Sequence, residues 1–135
     1  MIFLKELRVK TNNRLAFIDI SGPVSQAVAE TGVREGSVLI FIPHTTAAVT
    51  LNENADPDVI EDIKEIVRQL VPREGPYRHR EGNTAAHMMA SLMGSSQRII
   101  IHQGKLLLGT WQGIYLAEFD GPRERRVILQ VQGDG

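Results

Sequence analysis

The chain has no cysteine. That excludes disulfides, thiolate metal ligands and cysteine nucleophiles, so any metal must be held by histidine, carboxylate or water. It also suits a reducing compartment, and a cytoplasmic location is the expectation. Aromatic residues make up only 5% and the formal net charge is -1, which gives no support for a nucleic-acid surface. No apolar run approaches the roughly 20 residues of a membrane span, and the opening MIFLKELRVK carries charge too early for a signal peptide. Neither nucleic acid nor membrane is an expected partner. At 135 residues the chain reads as one domain, 1–135, that buries about two thirds of the surface its unfolded form exposes.

What the sequence does hold is β-rich. Residues 2–10 and 14–20 are apolar-rich runs around Thr11-Asn12-Asn13 and predict an opening hairpin. Ser21 is placed to cap a short helix that Gly32 stops. Val38 to Ile42 is a β-branched strand ended by Pro43, and strand character resumes over Ala47 to Leu51. Asp56-Pro57-Asp58 opens a helix to Leu70, with Val59, Ile60, Ile63, Ile66, Val67 and Leu70 on a face expected to lie on a sheet. Residues 71–83 form a loop. Asn83 or Thr84 then caps a helix ending at Gly94, in which Met88, Met89, Leu92 and Met93 are expected to fill core. Strands follow at 98–102, 105–108, 114–119 and 127–131, and residues 133–135 look like a frayed tail. No repeat or linker interrupts them.

The residues able to do chemistry gather first at FIPHTTAAVTLNENADPDV (41–59), where His44 stands at a strand end beside Thr45 and Thr46, with Glu53 further on. His79 and Glu81 lie in the 71–83 loop, and His87 and Ser91 are four apart on one helix face. Three imidazoles around the polar side of one small domain are the donor type of a catalytic divalent-metal site, although separations of 35 and 8 residues impose no geometry. Gly109 and Gly113 bracket Thr110, Trp111 and Gln112 and predict a kinked segment that something approaches closely. By strand alternation Thr110 and Gln112 would then face a ligand and Trp111 the core or a subunit interface. Eleven of the fifteen basic residues are arginine, a side chain suited to bidentate anion contacts.

The blocks HTTAAVTLNENADPDV (44–59), YRHREGN (77–83), HMMASLMGSS (87–96) and GTWQGIYLAEFDGPR (109–123) together resemble the YjbQ-like family, whose members are called secondary thiamine-phosphate synthases. The resemblance implies an α+β fold, mainly antiparallel sheet or sandwich with two or three short helices, assembled as a trimer. It also implies a divalent-metal site of histidines, and His44, His79 and His87 fall in the matching motifs. Zinc suits such a site; magnesium would have to arrive with substrate phosphates.

The expected activity is that of a metal-dependent transferase joining a pyrimidine methyl pyrophosphate to a thiazole phosphate with release of pyrophosphate. Thr45, Thr46, Ser91, Gly109, Thr110 and Gln112, with an arginine from 78, 80 or 123, are the candidates to hold the small phosphorylated substrate. Glu53, Glu81 and Glu118 are the candidate acids or bases. Two alternatives use the same groups: a metal-dependent hydrolase, in which water alone attacks, and a trimeric metal- or ligand-binding protein without turnover.

Overall fold

Strict alternation of exposed and half-buried residues makes Ile2–Lys10 the strand β1, and the computed structural model, which describes residues 1–134, carries it through to a last strand that closes on it. In chain order the elements are β1, β2 (Ala16–Asp19), α1 (Ser21–Thr31), β3 (Gly36–Phe41), β4 (Ala47–Glu53), α2 (Pro57–Leu70), α3 (Thr84–Met93), β5 (Ser96–His102), β6 (Lys105–Leu106), β7 (Gln112–Glu118) and β8 (Glu124–Gly133). They form two antiparallel sheets. The larger is ordered β1-β8-β3-β5-β6 and the smaller β2-β7-β4. The α+β expectation holds.

The opening hairpin does not form. β1 pairs with β8 from Ile2↔Gln132 to Lys10↔Glu124, while β2 pairs with β7 in the other sheet. The reason lies at Thr11, which is buried: its amide donates to the Arg123 carbonyl at 2.8 Å and its hydroxyl to Glu118 Oε1 at 2.8 Å. These bonds pin the bend between the sheets, so the residues that look like a tight turn are a crossover.

The layers run large sheet, small sheet, helices. Val38, Ile40, Leu129 and Val131 of the large sheet meet Val49, Ile114 and Leu116 of the small one, with Val24, Ala27 and Val28 of α1 closing one end. On the other face of the small sheet, Ala48, Ala117 and Phe119 pack against Ala85, Ala86, Met89 and Ala90 of α3. β7 is covered on both faces, and residues 113–118 are all buried, which is why Ile114 to Ala117 reads as an unbroken apolar run.

Helix α2 starts as expected, with the Asp56 carboxylate accepting from Asp58 N at 2.9 Å. Its apolar face, however, is only partly seated: no residue of α2 is buried, and Ile66 and Leu70 are exposed. α3 occupies the sheet and leaves α2 on its flank, so Met88 and Leu92 also face outward while Met89 and Met93 fill core. Ser21 begins α1 without capping it, because its hydroxyl accepts the Ile114 amide at 2.8 Å. Nor is the tail frayed through 134. Gly133 N donates to the Met1 carbonyl at 3.0 Å, and the Asp134 carboxylate accepts from Arg34 N and Glu35 N at 2.9 and 3.1 Å; residue 135 lies outside the described residues. No helix among them is long and apolar enough to cross a membrane.

Candidate functional site

Pairing of β3 with β8 runs from Gly36↔Gly133 to Phe41↔Ile128. Continued by two residues, that register would set Pro43 opposite Arg126, but proline has no amide to offer and the backbone leaves the sheet. The side chain that follows takes up the ladder: Arg126 N donates to Nε2 of His44 at 2.9 Å. A nitrogen that accepts an amide proton carries none itself, so the neutral ring has its hydrogen on Nδ1. Turning the ring over would put a C–H against the Arg126 amide and leave that donor unpaired. Burial, then the nearby Arg125 charge, lowers the imidazole pKa and favours the neutral ring.

Beneath His44 lies a buried charge pair. Glu118 is 0% and Arg125 4% exposed. Arg125 Nε donates to Glu118 Oε1 at 2.8 Å and Nη2 donates to Oε2; Nη2 also reaches Thr46 Oγ1 at 2.9 Å. Glu118 further accepts from the Thr11 hydroxyl at 2.8 Å and Asp120 N at 2.9 Å. Burial alone would raise the Glu118 carboxyl, but the Arg125 bonds, the Asp120 amide and Thr11 outweigh it and hold its pKa below the usual range. A carboxylate so occupied and so buried does not reach a substrate. Expected as an acid or base, it lies outside the lining of either lobe and instead fixes Arg125. Thr46, itself buried, does the same from the other side.

The segment 77–95 forms the opposite wall. Asn83 stands at the start of α3, but instead of capping the helix its Nδ2 donates to Asp120 Oδ2 at 2.9 Å, which Arg123 Nη2 also holds at 3.0 Å. Asn83 Oδ1 and Thr84 Oγ1 are buried and have no partner among the described residues, leaving two polar atoms for water or a ligand. The rings of His79 and His87 meet edge to face with centroids 5.8 Å apart, and Glu81 Oε2 lies 3.9 Å from His79 Nε2. Ser91 shares the His87 face, though its hydroxyl donates to the His87 carbonyl at 2.9 Å.

Between these walls is a cleft with two lobes that share His44, Thr45 and His87. One, of about 390 Å³, runs along α3 past Ser91 to Ser95. The other, of about 490 Å³, is lined by His79, Glu81, Asn83, Asp120, Arg123 and Arg125. All three histidines, Thr45, Thr46, Ser91 and Glu81 therefore border one opening. Arg125, Asn83 and Asp120 border it too, and no local pattern in the sequence singles them out for it.

The other candidates lie elsewhere. In the β4–β7 pairing Ala47 faces Glu118 and Glu53 faces Gln112, so Glu53 and Gln112 sit six residues down the sheet, about 20 Å from the Glu118 end. What approaches Gly113 closely is Asn54: a Cβ there would lie 2.6 Å from the Asn54 amide nitrogen. The Gln112 amide turns back to accept from Gly109 N at 2.8 Å. Gly109, Thr110 and Gln112 thus form a self-satisfied turn, with no part in lining either lobe. Trp111 is 62% exposed, which removes it from the core of the subunit.

The family resemblance implies a metal, and the three histidines differ in how well they fit one. Two rings bound to one tetrahedral zinc, with Zn–N bonds of about 2.1 Å, have centroids roughly 5 Å apart. His79 and His87 are near that separation. His44 is not suited, since its Nε2 is engaged and a neutral Nδ1–H offers no lone pair; metal-bound histidines instead donate from the second nitrogen. Among the described residues no three His, Asp or Glu side chains are gathered as a metal group.

Comparison with known proteins adds family. Residues 5–134 match the family model described as UPF0047 protein YjbQ-like. The UPF0047 protein YugU of Bacillus subtilis is 50% identical over 96% of this chain and 99% of its own length. A UPF0047 protein of Methanocaldococcus jannaschii is 47% identical over 99% of each. The crystal structure of a YjbQ/UPF0047-family protein of Clostridium acetobutylicum superposes with a TM-score of 0.93 at 55% identity, covering 95% of this chain and 99% of that one. A YbjQ-like protein of Sulfolobus solfataricus gives 0.95 at 32% identity, over 99% of both.

Proposed function

Because this chain belongs to the UPF0047 YjbQ-like family, we propose that it acts on a phosphorylated small molecule in the cleft between His44 and His87, as a transferase resembling thiamine-phosphate synthase. One observation carries the reading: histidines from a strand end, a loop and a helix border a single cleft whose floor is a guanidinium held in place by a buried carboxylate. Such a floor is organised before any ligand arrives, which is the condition for stabilising charge that develops on a leaving pyrophosphate.

His79 and His87 are the residues that would hold a divalent ion, which would supply charge neutralisation at that leaving group. Thr45 offers an exposed hydroxyl at the junction of the two lobes. Of the three carboxylates nominated from sequence, Glu81 alone lines the cleft. It is the candidate acid or base, and its place beside open solvent suits proton exchange. The same reading includes a homotrimer, supported by the uncovered outer face of the large sheet, where Ile2, Leu4 and Ile100 are exposed.

The experiment is pyrophosphate release. The protein is incubated with pyrimidine methyl pyrophosphate and thiazole phosphate together, then with each alone, in the presence of zinc or magnesium. Release that requires both substrates, and that falls at least tenfold in Glu81→Gln, is the expected result. Release from the pyrophosphate ester alone would replace the transferase with a hydrolase, and no release from either would reject an enzyme for these substrates.

A further inference from the structure

Arg125 lies 81 positions beyond His44 in the sequence, yet the β3–β8 pairing brings the end of β3 close to it and both side chains line the same lobe of the cleft. Its guanidinium is divided by its partners. Nε and Nη2 are taken by Glu118 and Thr46, whereas Nη1 makes no hydrogen bond among the described residues. The side chain lines the cleft and keeps 4% exposure. Nη1 is therefore a donor already fixed in position, with no rotamer freedom left to lose on binding. His44 supplies a second donor of the same kind. With Nε2 accepting from Arg126 N at 2.9 Å, its hydrogen is on Nδ1, which has no hydrogen bond among the described residues.

We propose that Arg125 Nη1 and the Nδ1–H of His44 together form the phosphate-holding corner of the cleft, with His44 a hydrogen-bond donor to the ligand and not a metal ligand. This rests on the reading that the cleft takes a phosphorylated molecule. Charges of both signs face the corner. Arg123 and Arg125 are cationic, Glu81 and Asp120 anionic, and Asp120 is already held by Asn83 and Arg123. Formal charge roughly balances, so no strong net field draws the anion in. Recognition falls to the placed donors, as at oxyanion sites where orientation is supplied in advance. Glu118, directly behind Arg125, polarises the guanidinium toward the cleft without itself meeting the phosphate.

The test uses inorganic pyrophosphate as probe, titrated calorimetrically into the full chain without added metal. Wild-type protein is expected to bind it, and His44→Ala to bind about ten- to a hundredfold more weakly, the loss for one hydrogen bond to a charged group. His44→Asn, whose amide can donate from near the Nδ1 position, should recover part of that loss. Arg125→Lys should weaken binding to a similar degree; because it also disturbs Glu118, its melting temperature is measured alongside, and if it is unfolded the His44 pair decides. Long-range proton–nitrogen NMR of the ¹⁵N-labelled protein is expected to show His44 protonated at Nδ1. A wild-type protein that does not bind pyrophosphate at millimolar concentration, a His44→Ala protein that binds it as tightly as wild type, or a His44 ring protonated at Nε2 overturns the proposal. Pyrophosphate bound through these two residues without any turnover would keep it while rejecting the transferase.

Discussion

Arg125 grips Glu118 with both Nε and Nη2, and neither side chain reaches bulk solvent: Glu118 is 0% and Arg125 4% exposed. Removing one member of such a pair strands the other charge in a medium that solvates it poorly. Glu118→Gln is therefore expected to destabilise the fold by about 3–5 kcal/mol in urea unfolding. The double change Glu118→Gln with Arg125→Met should be less damaging than the single one, since no unpaired charge remains. A Glu118→Gln protein as stable as wild type would mean that the pair contributes nothing.

The same carboxylate sets an acid limit. Its folded-state pKa is lowered, because the Arg125 and amide hydrogen bonds outweigh the effect of burial. Between the folded value and an unfolded value of about 4.3, the unfolded chain binds the extra proton. The stabilisation is thus complete above the unfolded value and is lost as pH falls through the folded one. Unfolding free energy measured from pH 6 downward should fall more steeply with acid in wild type than in Glu118→Gln, and parallel curves would locate the acid sensitivity elsewhere.

For metal, the geometry separates the histidines that the resemblance groups together. His79→Ala and His87→Ala are expected to lose bound zinc, measured by plasma emission after dialysis, whereas His44→Ala should retain it. Equal loss in all three would restore His44 as a ligand and require its ring to leave the Arg126 amide.

What the sequence disclosed, and what it hid, follows from chain distance. Helix α2 and its Asp56 cap were legible because the signals lie within a few residues of one another, and His44 was legible because Pro43 marks a strand end. Whether the apolar face of α2 is covered depends on where α3 packs, and no local pattern states that. Arg125 lies outside the expected closing strand, 127–131, and reads as one more charged residue before it until β8 and its register with β3 are known. The segment 109–113 is ambiguous in sequence for a related reason: paired glycines do signal a close approach, but the group that approaches Gly113 is the Asn54 side chain of this chain, which periodicity cannot distinguish from a ligand.

Gln112→Ala removes the bond to Gly109 N and is expected to cost about 1 kcal/mol while leaving pyrophosphate binding in the distant cleft unchanged. Trp111→Ala, at an exposed position, should shift the stability of the isolated subunit by no more than about 0.5 kcal/mol. A Gln112→Ala protein that folds normally but has lost pyrophosphate binding would bring this turn back to the site.

Across the outer face of the large sheet, the register aligns Ile2 with Gln132, Ser37 and Ile100, and Leu4 with Gln130, Leu39 and Arg98. Ile2, Leu4 and Ile100 are 63, 73 and 58% exposed, large apolar side chains interspersed with polar ones on a sheet face that no helix of the subunit covers. A second apolar patch lies on the helices, where Ile66, Leu70, Met88 and Leu92 face outward. A closed ring needs two unlike, complementary patches per subunit, whereas a two-fold dimer needs only one that matches itself. Two patches on different layers therefore favour the ring, and with a subunit of 15.0 kDa a trimer would have a mass of about 45 kDa by light scattering. Leu4→Glu and Leu70→Glu, each alone, should both yield monomer if the two patches meet. Dissociation by Leu4→Glu alone, from a particle of about 30 kDa, would indicate a dimer closed through the sheet face, and a wild-type monomer at micromolar concentration would remove the assembly altogether.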